Sequence, residues 1–128
     1  LNALYFNFKE LILTKQLNWL VDDIRVALYD ATTIYDPLHV NISELAGPQI
    51  DPGSTLTSRS VADGFAIAGP SVYTNLTDPL TVAVAILYRF SDGSLIAFMD
   101  EVIGFTFQPV GNDYALTPGG PGGAFFQL

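Results

Sequence analysis

The clearest patterning in the chain runs from Leu80 to Phe90, where Val82, Val84, Ile86 and Tyr88 alternate with other residues. An apolar side chain at every second position predicts a β-strand. Ala83, Ala85 and Leu87 make the opposite face apolar too, so the strand is expected to be covered on both sides. Ser91-Asp92-Gly93 is a tight-turn sequence, and Leu95 to Asp100 completes a central hairpin. Ile24 to Tyr29 reads as a further strand, with Val26 and Leu28 on one side and Arg25 and Ala27 on the other.

The first residues follow a different period. No Gly or Pro occurs from Ala3 to about Leu17, and Leu4, Tyr5, Phe8, Leu11 and Ile12 share one face at helical spacing. This predicts a helix with Asn2 as its N-cap, covering one face of the hairpin. Phe6, Leu13 and Leu17 make a second stripe. A short sheet covers only one face of a helix, so this stripe is either buried elsewhere in the domain or meets a neighbouring subunit. Leu17-Asn18-Trp19-Leu20 closes the helical stretch, and Asp22-Asp23 turns the chain into a strand. Trp19, the only tryptophan, is expected to anchor the helix on the sheet rather than to serve as a ligand platform.

From Asp30 to Gly53, the Thr, Asp, Pro and Gly content predicts a long surface loop, with a short helix or strand around His39 to Leu45. Loops of this length usually carry function or are ordered by a partner. Thr55–Val61, Phe65–Ala68 and Val72–Thr74 are short strand candidates separated by Asp63-Gly64 and Gly69-Pro70 turns. Phe105–Pro109 and Tyr114–Thr117 follow, and the Pro118–Gly123 run interrupts regular structure. Apolar Ala124–Leu128 can pair as a last strand. No linker or repeat divides the chain. The expectation is a single α+β domain spanning residues 1–128, with an N-terminal helix packed on a mainly antiparallel β-sheet or β-sandwich.

Composition sharpens this picture. The chain has 128 residues, 49% of them hydrophobic and only 14% charged, against roughly 25% charged in an ordinary soluble domain. So few charges imply apolar surface left over for another chain. The net charge is −8, and the five bases Lys9, Lys15, Arg25, Arg59 and Arg89 are scattered. Nucleic-acid binding needs clustered cations, so it is not expected, nor is attraction to an anionic membrane. No apolar run approaches the roughly 18–20 residues of a membrane span. Leu1 suggests a trimmed start, and the charged opening segment does not resemble a signal peptide.

Candidate chemistry is sparse. Cysteine is absent and His39 is the only histidine, so a zinc site lacks its ligands. A Ser-His-Asp triad would have to use His39, and no Gly-x-Ser-x-Gly elbow exists. Asp22-Asp23 and Asp100-Glu101 are adjacent carboxylates that face opposite ways on a strand. EF-hand spacing and a phosphate-binding glycine loop are both missing. No catalytic residue, metal site or cofactor is expected.

Three segments carry a resemblance: Asn2-Ala3-Leu4-Tyr5, Leu17-Asn18-Trp19-Leu20 and Ile24-Arg25-Val26-Ala27-Leu28. With Leu56–Gly64, the Ala85–Arg89 and Leu95–Asp100 strands and the closing Phe126-Gln127-Leu128, the chain resembles a family of small virion proteins of tailed bacteriophages. The similarity spans nearly the whole length and is weakest from about Thr32 to Ser54. Phe6 and Phe8 stand where family members are more polar or smaller, and the C-terminal segment is shortened before Gly119-Gly120.

The resemblance implies a non-enzymatic virion part, assembled in the host bacterial cytoplasm. The role it implies first is a capsid decoration (cement) protein, seated between subunits of the major capsid protein as a homotrimer or other homo-oligomer. The alternatives are a tail-associated or fibre-base protein bound to a tail protein and, more distantly, a small glycan-degrading enzyme using two carboxylates. Phe6, Leu13 and Leu17, the Asp30–Gly53 loop, and Phe125 and Phe126 near the end are the expected contact surfaces.

Overall fold

In the computed structural model, which describes all 128 residues, the elements in order are β1 (Asn2–Leu4), α1 (Phe6–Leu13), β2 (Ile24–Tyr29), a 3-10 turn (Ile42–Glu44), β3 (Gln49–Asp51), β4 (Ser60–Ala62), β5 (Phe65–Ile67), β6 (Ser71–Thr77), β7 (Val84–Arg89), β8 (Leu95–Met99), β9 (Val110–Leu116) and β10 (Ala124–Gln127). The architecture is α+β and mostly antiparallel, as the patterning predicts. β7 and β8 lie at the centre of a five-stranded sheet of order β1-β8-β7-β2-β3. β4, β5 and β10 form a three-stranded sheet, and β6 pairs with β9.

Both faces of the main sheet are buried. On one, Ile24, Val26, Leu28, Ala85 and Leu87 pack with Tyr73, Leu76 and Leu116 of the β6–β9 pair, with Ala66 of β5 and with Ala68 just after it. On the other, Ala27, Tyr29, Ile86, Leu95 and Phe98 are covered by Tyr35, Ile42 and Leu45. The helix helps to cover the first face through Phe8, and the second cover is the segment after β2. Its backbone is tied down by polar side chains: Thr33 Oγ1 donates to the Ala46 carbonyl at 2.6 Å. The 3-10 turn carries a capping box, in which Asn41 accepts from Ser43 N–H and Glu44 accepts from Asn41 N–H. What reads as a free loop from its Pro and Gly content is a wall of the core, leaving Ile34, Leu38 and Val40 outside.

The helix is shorter than its apolar period at both ends. Asn2–Leu4 pairs with β8, because the outer edge of β8 offers backbone partners that a helical first turn would leave unused. Asn2 is therefore not the N-cap; extended Tyr5 is, with no side-chain cap. At the other end Lys15 takes a left-handed conformation, φ 59°. Its N–H bonds the Ile12 carbonyl, and the Gln16 N–H bonds that of Leu11, the Schellman pattern that stops a helix. Leu17 consequently leaves the helical stripe.

Candidate functional site

Three segments converge beside the end of α1. Thr14 Oγ1 donates to the Glu10 carbonyl, Lys15 turns the chain, and Leu17 and Trp19 fold back against the small sheet. An Asx turn shapes the return: Asn18 Oδ1 accepts from Leu20 N–H at 3.0 Å, and Asn18 N–H donates to Asp22 Oδ2 at 2.9 Å. Trp19 is 6% exposed, and its indole N–H donates to the Ile67 carbonyl at 3.1 Å. Its ring meets Phe126 edge-on with centroids 5.5 Å apart, and Phe126 meets Phe8 likewise at 5.2 Å. Trp19 thus anchors the last strand as well as the helix end.

This aromatic cluster backs an open groove of about 460 Å³. Its lining takes Phe8 and Ile12 from α1, Leu17 and Leu20 from the return after it, and Val61, Ala66 and Phe126 from the small sheet, with Leu128 beyond. Lys15 is the only charged side chain lining it. Val61, Leu20 and Leu128 are each more than half exposed, so apolar surface continues out of the groove.

Two of the five bases are paired with carboxylates elsewhere. Arg25 pairs with Asp23 and stacks on Phe90 with its guanidinium 3.5 Å from the ring centroid. The Arg25 hydrogen bonds, with one from Thr55, hold the Asp23 carboxyl below its ordinary range. Arg89 pairs with Asp22 and Asp92, and its hydrogen bonds bring Asp92 down to about 2, with help from Ser94. Arg59 bonds the Trp19 carbonyl at 2.9 Å and also the Asp22 carbonyl, pinning the groove wall to the residue before β4. His39 sits 3.7 Å from the Asp36 carboxylate. The adjacent carboxylates Asp22 and Asp23 are held by different partners, Arg89 and Arg25.

The expected contact residues divide. Leu17 and Phe126 come together in the groove wall, but Leu17 is 5% exposed, buried by the early helix stop rather than presented on an outer stripe. Phe125 packs edge-on to Trp19 at 6.4 Å and is partly buried. Phe6 and Leu13 are the exposed members, 48% and 83%. Phe6 N–H donates to the Pro37 carbonyl and Asn7 Nδ2 to that of Val40, so α1 and the exposed part of the Asp30–Gly53 segment lie side by side. Sequence reasoning missed Lys15, Leu20 and Val61. The signal available for Lys15 was its place between an apolar helix and the Leu17-Asn18-Trp19 element.

No protein-family model matches the chain, and no curated protein or solved structure matches it. Fold and site together define an acidic α+β domain with exposed apolar surface around its single helix.

Proposed function

We propose that this chain is a structural component of a tailed-bacteriophage particle, a capsid decoration protein that joins neighbouring subunits of the major capsid protein and works as a homo-oligomer. The observation that carries the reading is the apolar surface left outside the core, with Phe6 and Leu13 on the outer side of α1 and Val61 and Leu20 at the groove. In a chain with so few charges, such a surface suits permanent association better than a free monomer. Fully burying side chains of this size contributes about 1.5–3 kcal/mol each, enough for a few of them to hold one protein on another. The resemblance of the Asn2–Tyr5, Leu17–Leu20 and Ile24–Leu28 segments to virion proteins supplies the setting.

Antibody labelling of intact particles tests the setting. Label over the head supports decoration, label confined to the tail moves the protein there, and unlabelled particles refute the virion reading. The double variant Phe6→Asp, Leu13→Lys tests the surface. Both residues are solvent-facing, so the fold should persist while the oligomer mass by light scattering falls and particle occupancy drops. Unchanged mass together with unchanged occupancy would remove α1 from the interface.

A further inference from the structure

The groove ends at an unfinished sheet. β4 is the outer strand of the order β10-β5-β4, and Ser60, Val61 and Ala62 make no backbone hydrogen bonds outside their pairing with β5. Exposed edges are normally blunted by shortness, a charge, a proline or a bulge; β4 is three residues long, and Ser60-Val61-Ala62 contains no charge or proline. Val61 lies directly opposite Ala66, and Ala66 opposite Phe126. These three side chains form one row across the sheet, and all three line the groove. A strand added beyond β4 would extend that row by one side chain, placed at the groove mouth about 4.8 Å from Val61.

Charge selects the occupant further. Arg25 and Arg89 are neutralised by carboxylates, whereas Lys9, Lys15 and Arg59 form no ion pair. Lys15 lines the groove and Arg59 adjoins β4, so two of the three unpaired bases in a chain of net charge −8 lie beside this apolar feature, while Lys9 sits over Phe6. Lys15 also holds its left-handed conformation where glycine is the usual helix-stopping residue. A position that favours glycine on conformational grounds carries the ammonium.

We propose that this groove and the β4 edge receive an extended segment of a partner polypeptide, pairing with β4, placing alternate apolar side chains in the groove and directing a carboxylate to Lys15. The inference deepens the assembly reading and rests on it for the existence of such a partner. Backbone pairing would supply affinity, and the apolar row with Lys15 the selectivity. The three-residue length of β4 limits the paired part to a short segment.

The test uses the isolated full chain and a blocked hexapeptide in which valine alternates with serine and glutamate takes the third valine position, so that it shares the groove-facing side. Its counterpart carries lysine in place of the glutamate. Trp19, the only tryptophan, lines the groove and reports occupancy by its emission, while amide shifts report strand pairing. The glutamate peptide should change Trp19 emission saturably, shift the Ser60–Ala62 amides, and bind about 3–10-fold tighter than the lysine peptide. Lys15→Glu should invert that order and Val61→Asp should weaken both peptides about tenfold. Lys15→Gln, a milder change at the helix end, should abolish the preference.

Equal binding of both peptides, or binding that leaves the β4 amides unmoved, overturns the proposal. So does a groove that responds to decanoate but to neither peptide, or self-association through β4 without peptide. Because the binding is read on the purified chain, its failure is separable from that of the virion reading, which particle labelling decides.

Discussion

Replacing Arg89 by methionine probes how the end of the central sheet is held against the groove wall. The guanidinium donates to both Asp92 carboxylate oxygens at 3.1 and 2.8 Å, to Asp22 at 3.3 Å and to the Gln16 carbonyl at 2.7 Å. Its side chain is only 14% exposed, and methionine keeps the packing of the stem while removing every donor. A hydrogen bond involving a charged group contributes about 1.5–3 kcal/mol when sheltered. Asp92 is half in solvent, so screening brings that pair down to about 1 kcal/mol. The bonds to Asp22 and Gln16 add about 1–2 kcal/mol together, giving a loss of about 2–3 kcal/mol for Arg89→Met.

The same contacts fix a pH signature. Hydrogen bonds from Arg89 hold the Asp92 carboxyl at about 2, below its ordinary 3.8. The unfolded chain therefore binds that proton more readily than the folded one. The associated stability is complete above the ordinary value and drains away as pH falls through 2. Urea unfolding followed by Trp19 emission should show a wild-type advantage of about 2–3 kcal/mol at pH 7, narrowing by about 1 kcal/mol at pH 2. An advantage below about 1 kcal/mol at pH 7, or one that does not narrow in acid, would refute this account of Arg89.

Two further substitutions test the packing around the site. Phe126→Ala removes edge-on contacts to Phe8 and Trp19 and should cost about 3 kcal/mol. It should also shift Trp19 emission to longer wavelength as water enters; an unshifted spectrum would contradict the wall as described. Gly53 has φ 78°, and a Cβ there would run into the Val26 carbonyl. Gly53→Ala should therefore cost about 2–4 kcal/mol, and a thermal midpoint equal to wild type would show that β3 does not need this close approach.

Elements whose partners are central were legible in the sequence. Ile24–Tyr29 has the expected bounds, and the hairpin, the short helical turn inside His39–Leu45 and the last strand all lie where patterning places them. Edges were not. Asn2–Leu4 has a helical period, yet an available strand edge outcompetes it. Of Thr55–Val61 only the end becomes β4, and Phe105–Pro109 contributes a single bridge from Phe107 to Val82. β6 and β9 extend beyond their apolar cores because Asn75, at φ 50°, accommodates an irregular register with polar residues facing out. For the site, Trp19, Leu17 and Phe126 stood out individually as residue types. Their convergence depends on the stop at Lys15 and on β10 pairing with β5, both outside the reach of local periodicity.

The pairing of Ile24 with Arg89 and of Ala66 with Phe126 also bears on when the groove can exist. A ribosome delivers α1, Trp19 and β4 long before residues 124–127. Until β10 arrives, Trp19 and Phe8 lack the ring that closes over both, and the row beginning at Val61 has no far end. Pairings this distant along a chain form slowly, so a partly synthesised molecule exposes loose apolar side chains but no shaped groove. The shaped groove is therefore a property only of a chain translated past Phe126.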